Sequence, residues 1–513
     1  MWPLRRLISA IVIISVFNNH TEAYRILSIG ASPSRSHVIV QEALAKELAR
    51  RGHHVTMVTP FPTAPSIENY REITVPLSDE GKRLMSHFIN DQSRWAMIQS
   101  FSAMNKVFMD VANDSINHPE VKRVMVEEKF DLLIITMMAD FLLGLTQLLD
   151  VPAVTVSPNA MVGFMNDVVG NPKSIATVPS VMLGVSSPMN FASRITNFFG
   201  WLLETLFGCL ISYNSERYYN SNFPRDRFHP YAEARKNISL ILVNQHFTKA
   251  SPRPYVPVVV EVGGLQVKEK PDPLPEDIQN WIDGAEHGVI FFSLGSNIQS
   301  SSMPAEKLEV VLGTLRKLKQ RVIWKWDSQD MPNKPPNVLL RSWMPQDDIL
   351  AQKNVRLFIT HGGLGGVAEA QYHGVPLVGI PFFGDQQGNL QKVQKEGWAV
   401  VLEYVDLTEQ KFSAAIDEVL RNSSYTDTVR RLSKLYRDRP MTAMDTAVFW
   451  TEYVIRHKGA PHMRYPGVDL NFFQLYMLDV LAVLGSVVVL LIWVIVRVCN
   501  MCCGKKNLKL KQY

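Results

Sequence analysis

Apolar residues in this chain alternate between short unbroken runs and stretches with helical spacing. Residues 24–30 form a β-rich run, followed by a Ser/Pro loop over 31–36. Val40, Leu44 and Leu48 then recur every four residues, which predicts the buried face of a helix ended at Gly52. Residues 55–59 read as the next strand, so the chain opens on a βαβ unit of an α/β domain with a mostly parallel sheet. Further buried strands are predicted at 132–136 and 153–157. The Met- and Phe-rich stretches 85–109 and 161–207 have weak period and suit helices lining an apolar cavity, adaptable because Met side chains are flexible.

The pattern restarts after Val262-Gly263-Gly264 and the polar, Pro-rich segment 268–275, which is a linker by composition. Residues 289–294 predict a strand, and Leu308, Val311, Leu312, Leu315 and Leu318 share one face of the helix after it. Strands at 321–326, 355–360, 376–380 and 399–403 and a helix at 364–373 complete a second alternating set. The expected division is an N-terminal α/β domain over 24–262, a linker over 263–285 and a C-terminal α/β domain over 286–470. Two such domains in series place a ligand cleft at their interface, facing the carboxyl ends of the strands.

The chain's two ends concern address more than fold. Residues 1–23 carry Arg5 and Arg6, a short apolar run and Thr21-Glu22-Ala23, the layout of a secretory signal peptide. Residues 471–498 read as one membrane span, because 480–496 is apolar apart from Gly485 and Ser486 and is followed by Arg497 and the basic tail 499–513. The expectation is a single-pass type I protein with its body in the lumen. Lys509 and Lys511 have the spacing of a lysine-based retrieval signal, which points to the endoplasmic reticulum membrane. Sequons at Asn113, Asn237 and Asn422 are compatible with a lumenal body. The net charge of +5 is modest and no basic face interleaved with aromatics is present, which argues against nucleic-acid binding. Of four cysteines only Cys209 lies in the folded body, so no disulfide framework is expected. Cys499, Cys502 and Cys503 sit where acylation beside a membrane occurs.

The strongest chemical signal is the predicted strand ending Phe358-Ile359-Thr360 that runs into His361-Gly362-Gly363 and a helix carrying Gly366 and Glu369. Glycines there let backbone N–H groups approach an anion, and the helix N-terminus adds positive partial charge. A diphosphate fits, with Glu369 deeper in the helix for ribose hydroxyls. His373-Gly374-Val375-Pro376 and Pro381-Phe382-Phe383-Gly384-Asp385-Gln386 follow. From Phe358 to Gln386 these residues and spacings resemble the signature of the UDP-glycosyltransferase family. The likeness covers nearly the whole chain and is most like invertebrate members.

That resemblance implies two Rossmann-like domains facing across a cleft, the GT-B arrangement, with a UDP-sugar as co-substrate and a small lipophilic acceptor. It implies that Trp343 stacks on uracil with Gln346 beside it, and that Ser296 contacts phosphate. His361 and the amides of Gly362, Gly363 and Gly366 would cradle the diphosphate, Glu369 would bind ribose, and Asp385 with Gln386 would grip the sugar hydroxyls. Lys325 stands where many relatives carry Arg, keeping the charge without the bidentate fork. The residues alone also admit plainer roles: a core aromatic at Trp343, a solvated charge at Lys325 and a helix cap at Asp385.

Inverting transfer from an α-linked UDP-sugar needs a base, and Ser36-His37 matches the family's catalytic position at the start of the first helix. Where many relatives carry a carboxylate to orient that base, this chain has Thr136. Asp140, four residues on, is the candidate replacement, with a helix N-cap as its plainer role. No Asp-x-Asp pair and no Cys/His cluster of zinc spacing occurs, so no metal is expected. The leading expectation is a hexosyltransferase. A non-catalytic UDP-sugar or lipophile-binding membrane protein is the alternative that Thr136 favours, and a polymer-extending transferase fits a single span poorly. The donor is left open between UDP-glucose and UDP-glucuronate, with glucose preferred from the invertebrate likeness. Self-association is compatible with the resemblance.

Overall fold

The computed structural model describes residues 23–507 of the chain except 64–65, 84–93, 162, 184, 186, 249–251, 297, 329–330, 332 and 383. The signal-like residues 1–22 and the tail lysines Lys509 and Lys511 lie outside the described residues. Strands β1 (Arg25–Ile29), β2 (His54–Thr59), β3 (Tyr70–Thr74), β4 (Leu132–Thr136), β5 (Ala153–Ser157), β6 (Ile238–Val243) and β7 (Val259–Glu261) form a seven-stranded sheet. Its order is β3-β2-β1-β4-β5-β6-β7, with every pairing parallel. Strands β8 (Val289–Ser293), β9 (Arg321–Lys325), β10 (Val338–Arg341), β11 (Val355–Thr360), β12 (Leu377–Gly379) and β13 (Ala399–Val401) form a second, six-stranded parallel sheet. Its order is β10-β9-β8-β11-β12-β13.

A parallel sheet is covered on both faces, which is why β4 and β5 read as unbroken runs and are buried at every position. Edge strands read less clearly. β3 is mostly half-exposed, β7 and β10 are short and partly exposed, and none of the three stood out in the apolar pattern. The linker also holds more structure than its composition suggested. Glu276–Asp283 is a helix that buries Ile278 and Ile282 against the second sheet's core.

Helix α1 (Arg35–Arg50) crosses from β1 to β2 and buries Val40, Leu44 and Leu48 as the spacing predicted. Helix α2 (Arg94–Asn117) lies over the same half and sends Val107 and Met109 into its core. Helix α3 (Gly163–Val169) packs on α4 (Phe191–Asn222), a 32-residue helix. The expectation of cavity-lining apolar helices holds in part, since Asn166 of α3 and Asn197, Trp201 and Glu204 of α4 line a small pocket. The buried face of α4 carries Asn197, Glu204 and Ser215, whereas Phe199, Leu206 and Leu210 point outward. Glu204 accepts from the Gly163 and Val181 amides at 2.9 and 2.8 Å and from the Ser180 hydroxyl. Asn197 bonds the backbone at Ser180, Ile175 and Val178. The first part of the inner face therefore pins loops by hydrogen bonds, Ile211 and Tyr219 reach the core further on, and a row of large apolar residues is left outside.

In the second half, α5 (Gln346–Leu350), α6 (Leu364–His373) and α7 (Gln386–Lys395) flank β11 and β12. Helix α8 (Ala443–Arg456) then returns to the first half, where Ala447, Val448 and Val454 join that half's core. Arg51, just after α1, pairs with Asp445, and His53 Nε2 lies 3.2 Å from Glu452. Helix α9 (Leu478–Asn507) stands apart, and none of its 25-residue apolar stretch Leu478–Cys502 is buried. At ~1.5 Å per residue that stretch is ~37 Å long, enough for a ~30 Å hydrocarbon core.

Candidate functional site

Each sheet reverses its winding direction once, between β1 and β4 and between β8 and β11. Such switch points open a crevice beyond the carboxyl ends of the strands. The loops that leave those strands carry the candidate residues: His37 after β1, Thr136 and Asp140 at and after β4, Ser296 after β8 and His361 after β11.

On the second sheet, the chain leaves β8 through Gly295 at φ 81°. A Cβ on Gly295 would lie 2.5 Å from the His361 ring, and one on Gly363 would lie 2.5 Å from His361 Nε2. Glycine at both places lets two backbone segments close around one imidazole. Gly362 makes the turn between them at φ 84°. The α6 amides after Gly363 then point out of the helix N-terminus, a favourable seat for an anion. His361 Nδ1 is buried without a hydrogen-bond partner. Burial, and then the Lys325 charge, lower the pKa of His361 to about 4, so the ring is neutral near pH 7. Lys325 ends β9 and donates to the Gly295 carbonyl at 2.6 Å, while burial lowers its own pKa. It braces the Gly295 turn and places a cation beneath the cradle. Ser296 is exposed on that turn.

Glu369 is buried in α6 and accepts from Gln346 Nε2 at 2.6 Å and from Gln266 Nε2 at 3.5 Å. The missing side chain at Gly366 lets Gln346 approach, since a Cβ there would be 3.3 Å from its Nε2. Trp343 is 55% exposed, so it is not a core aromatic. Asp385 makes no capping bond at the start of α7. Asn389 Nδ2 donates to Asp385 at 2.7 Å and to the Gly362 carbonyl at 3.1 Å, which ties α7 to the turn after β11. Gln386 is buried and its Oε1 accepts from the Phe382 amide at 2.8 Å.

On the first sheet, His37 occupies the first turn of α1 with its ring 5.7 Å from that of Phe108 on α2. Its Nδ1 is buried without a partner, and burial lowers its pKa to about 4. Among the described residues no hydrogen bond joins His37 to Asp140, and the expected dyad is corrected accordingly. The turn after β4 carries Asp140 to Tyr231, whose hydroxyl donates to it at 2.7 Å, and to Arg235 Nε at 3.0 Å. A mostly buried guanidinium needs that counterion. At position 136, where the resemblance implied a carboxylate, the side chain is neutral. Thr136 Oγ1 donates to Gln41 Oε1 at 2.9 Å, and Gln41 Nε2 donates to Ser28 Oγ at 2.9 Å.

The two sheets meet at these loops. The Arg35 guanidinium lies 4.9 Å from the Trp343 ring centroid, two residues before His37. A second link runs from Asn244, just after β6, to Gln266 at 3.3 Å and on to Glu369. Beside the crevice an open groove of about 1150 Å³ is bordered by α1 and the linker. Of the candidate residues only Trp343 borders that groove, so its size does not mark the chemistry. Sequence reasoning missed Arg35, Gln41, Gln266 and Asn389. Of these only Gln41 carried a signal, as a polar residue one turn after His37 in an apolar helix face.

Of the sequons, Asn113 lies inside α2 with its Oδ1 accepting from Asn117 and Asn222 at 3.3 and 3.0 Å. Asn237 and Asn422 are exposed, and Asn422 also caps the helix Ser423–Arg437.

Two all-parallel sheets with their switch points facing across a crevice form the GT-B fold. Solved structures share the arrangement. The glycotransferase of kitacinnamycin aligns with a TM-score of 0.56 at 18% identity, covering 85% of this chain and 100% of its own. A UDP-glucose: anthocyanidin 3-O-glucosyltransferase in complex with UDP gives 0.56 at 16% identity, with 85% and 100% covered. The sequence model described as "UDP-glucoronosyl and UDP-glucosyl transferase" matches residues 25–512, and the chain belongs to that family. Relatives include UDP-glucosyltransferase 2 of Dactylopius coccus, 36% identical with 92% of each chain covered. UDP-glucuronosyltransferase 2C1 of Oryctolagus cuniculus is 31% identical, with 90% of this chain and 95% of that one covered. This protein is therefore a UDP-glycosyltransferase, an enzyme that moves a glycosyl group from a UDP-sugar.

Proposed function

We propose that the enzyme transfers glucose, with inversion, from UDP-glucose to a small lipophilic acceptor bearing a hydroxyl or similar nucleophile. The observation that carries this reading is the contact of Arg35 with Trp343, which sets the start of the His37 helix against the donor residues of the other half. In this reading UDP lies along the second sheet. Trp343 releases Arg35 and stacks on uracil, the Gln346–Glu369 pair takes the ribose, and the His361 turn with Ser296 and Lys325 holds the diphosphate. Asp385 and Gln386 face the sugar hydroxyls. The acceptor oxygen attacks the anomeric carbon from the face opposite UDP, and neutral His37 removes its proton as the bond to UDP breaks. Asp140 holds Tyr231 and Arg235 in place and takes no proton.

Among the described residues no carboxylate is paired with His37 to stabilise its imidazolium. The base is weak, and the reading extends to acceptors whose O–H is itself acidic, phenols ahead of alkanols. Glucose is preferred because the insect relative at 36% identity is named a glucosyltransferase. The apolar helix α9 anchors the enzyme in the endoplasmic reticulum membrane as a type I protein, with both sheets in the lumen.

The test is turnover in microsomes containing the full chain, supplied with UDP-glucose or UDP-glucuronate and matched phenols and alkanols. Glucosides of inverted anomeric configuration, lost in His37→Ala while UDP still protects the protein against heat, are expected. Turnover with glucuronate alone overturns the donor assignment. Undiminished turnover in His37→Ala overturns the base, and no turnover with either donor leaves a UDP-sugar-binding protein.

A further inference from the structure

Helix α4 is built the wrong way round for water. Its inner face spends Asn197 and Glu204 on backbone and hydroxyl groups of the 163–181 loops. Its outer face shows Phe191 at 71%, Leu206 at 56% and Leu210 at 60% exposure, with Ile195, Phe199 and Tyr213 continuing the same strip. From Phe191 to Tyr213 the strip runs about 33 Å at ~1.5 Å per residue. A soluble helix turns such a stripe inward, and an exposed apolar patch of this length marks a partner.

The position of the strip identifies that partner. Helix α3, on which α4 packs, also receives the segment Pro466–Asp469 that leads into α9. A Cβ on Gly170, just after α3, would lie 2.8 Å from the Val468 amide. Asp469 pairs with Lys236 at 3.3 Å, so this segment is fastened to the first half. Phe472, Phe473 and Tyr476 then stand exposed at the foot of α9, where aromatic rings sit at a membrane surface. The α3–α4 side of the first half is thus held next to the place where the chain would meet a bilayer.

We propose that the outer face of α4 lies in the bilayer surface, as a second membrane contact made by the first half of the molecule. The inference rests on the reading of α9 as a membrane anchor. Because that anchor is part of the same chain, the strip meets lipid at high effective concentration and needs little affinity of its own. Its geometry is that of a helix lying along the surface, since Asn197 and Glu204 keep the opposite face bound to protein.

Cys209 provides a native reporter, because it is exposed on α4. In the full chain with Cys499→Ser, Cys502→Ser and Cys503→Ser, Cys209 is labelled with bimane and the enzyme reconstituted into phosphatidylcholine vesicles. Quenching by lipid carrying a shallow nitroxide, exceeding quenching by aqueous iodide several-fold, is expected. It should fall at least threefold in the Phe199→Asp, Leu206→Asp double variant. Iodide quenching without nitroxide quenching overturns the proposal. Quenching by neither, together with Cys209–Cys209 cross-linking by a short bismaleimide, also overturns it and makes a second copy the occupant. A separate label at Val488→Cys, in a background that also carries Cys209→Ser, reports on the anchor. If that label escapes deep nitroxide lipid, the membrane reading of α9 has failed; if it is quenched and Cys209 is not, only the α4 proposal has.

Discussion

Thr136→Asp would restore a carboxylate at the end of β4, and its effect can be worked out from the geometry. Thr136 Oγ1 sits 2.9 Å from Gln41 Oε1, and Gln41 lies four residues after His37 on α1. Side chains so spaced have Cβ atoms about 5–6 Å apart. A charge at position 136 stands one side chain away from His37, and an opposite charge within ~4–6 Å raises a base by about 1–3 units. His37 now has a pKa of about 4. A rise of about two units brings it near 6. Only neutral His37 can accept a proton, so the acid limb of kcat/KM should move up by the same amount. At a Brønsted slope of about one half, two units of base strength make an alkanol acceptor roughly tenfold faster and a phenol less so. The assay is kcat/KM for a phenol and an alkanol of matched size, from about pH 4 to 8, with Thr136→Val as the uncharged control. An acid limb that stays near its wild-type position, with alkanol turnover unchanged and UDP binding intact, would refute the reasoning.

Asp140→Asn should act on stability instead. It leaves Arg235 without its counterion, and about 3–5 kcal/mol is expected to go from the urea unfolding free energy, with kcat and the acid limb unchanged per folded molecule. In Gly295→Ala the new Cβ would meet His361 at 2.5 Å, on a residue held at φ 81°. KM for the UDP-sugar should rise about tenfold or more, equivalent to a loss of ~1.4 kcal/mol, and calorimetry should show less heat protection by UDP. The pH dependence of stability follows from His37 and His361, both lowered to about 4 by burial. The unfolded chain protonates near 6.5, so it binds more protons in this window. Stability contributed by the neutral rings is whole above about pH 6.5 and is lost as pH falls towards 4. Urea midpoints measured across that range should drop less steeply in His361→Asn than in the wild type.

The central strands of both sheets were legible because parallel strands covered on two faces must be apolar at every position, as Leu132–Thr136 and Val289–Ser293 are. Edge strands β3 and β10 face water on one side and carry polar residues that blur the pattern. The glycine turns at Gly295 and Gly362 were legible for a related reason. Gly295, Gly362 and Gly363 are fixed by local backbone geometry, which sequence spacing records directly. Contacts between distant segments leave no such record. Asp140 lies four residues from Thr136 in the chain, yet its partners Tyr231 and Arg235 come from a turn nearly a hundred residues on. Amphipathic period was equally silent on α4, because an apolar stripe shows the same spacing whether it faces inward or out.

The return of α8 makes the first half discontinuous along the chain. Its core draws on Ala447 and Val448 as well as on residues before the linker, and Arg51 and His53 grip Asp445 and Glu452. The second half is in effect a cassette inserted into its neighbour. A crossover at Gly263 between two such enzymes would give a first half fastened by a helix from the wrong parent. A pair of breakpoints, one at Gly263 and one just before Ala443, would exchange the second half and keep each first half whole. Arg51 and His53 are thereby tied to a helix nearly four hundred residues downstream, so a change on one side of that contact has to be matched on the other.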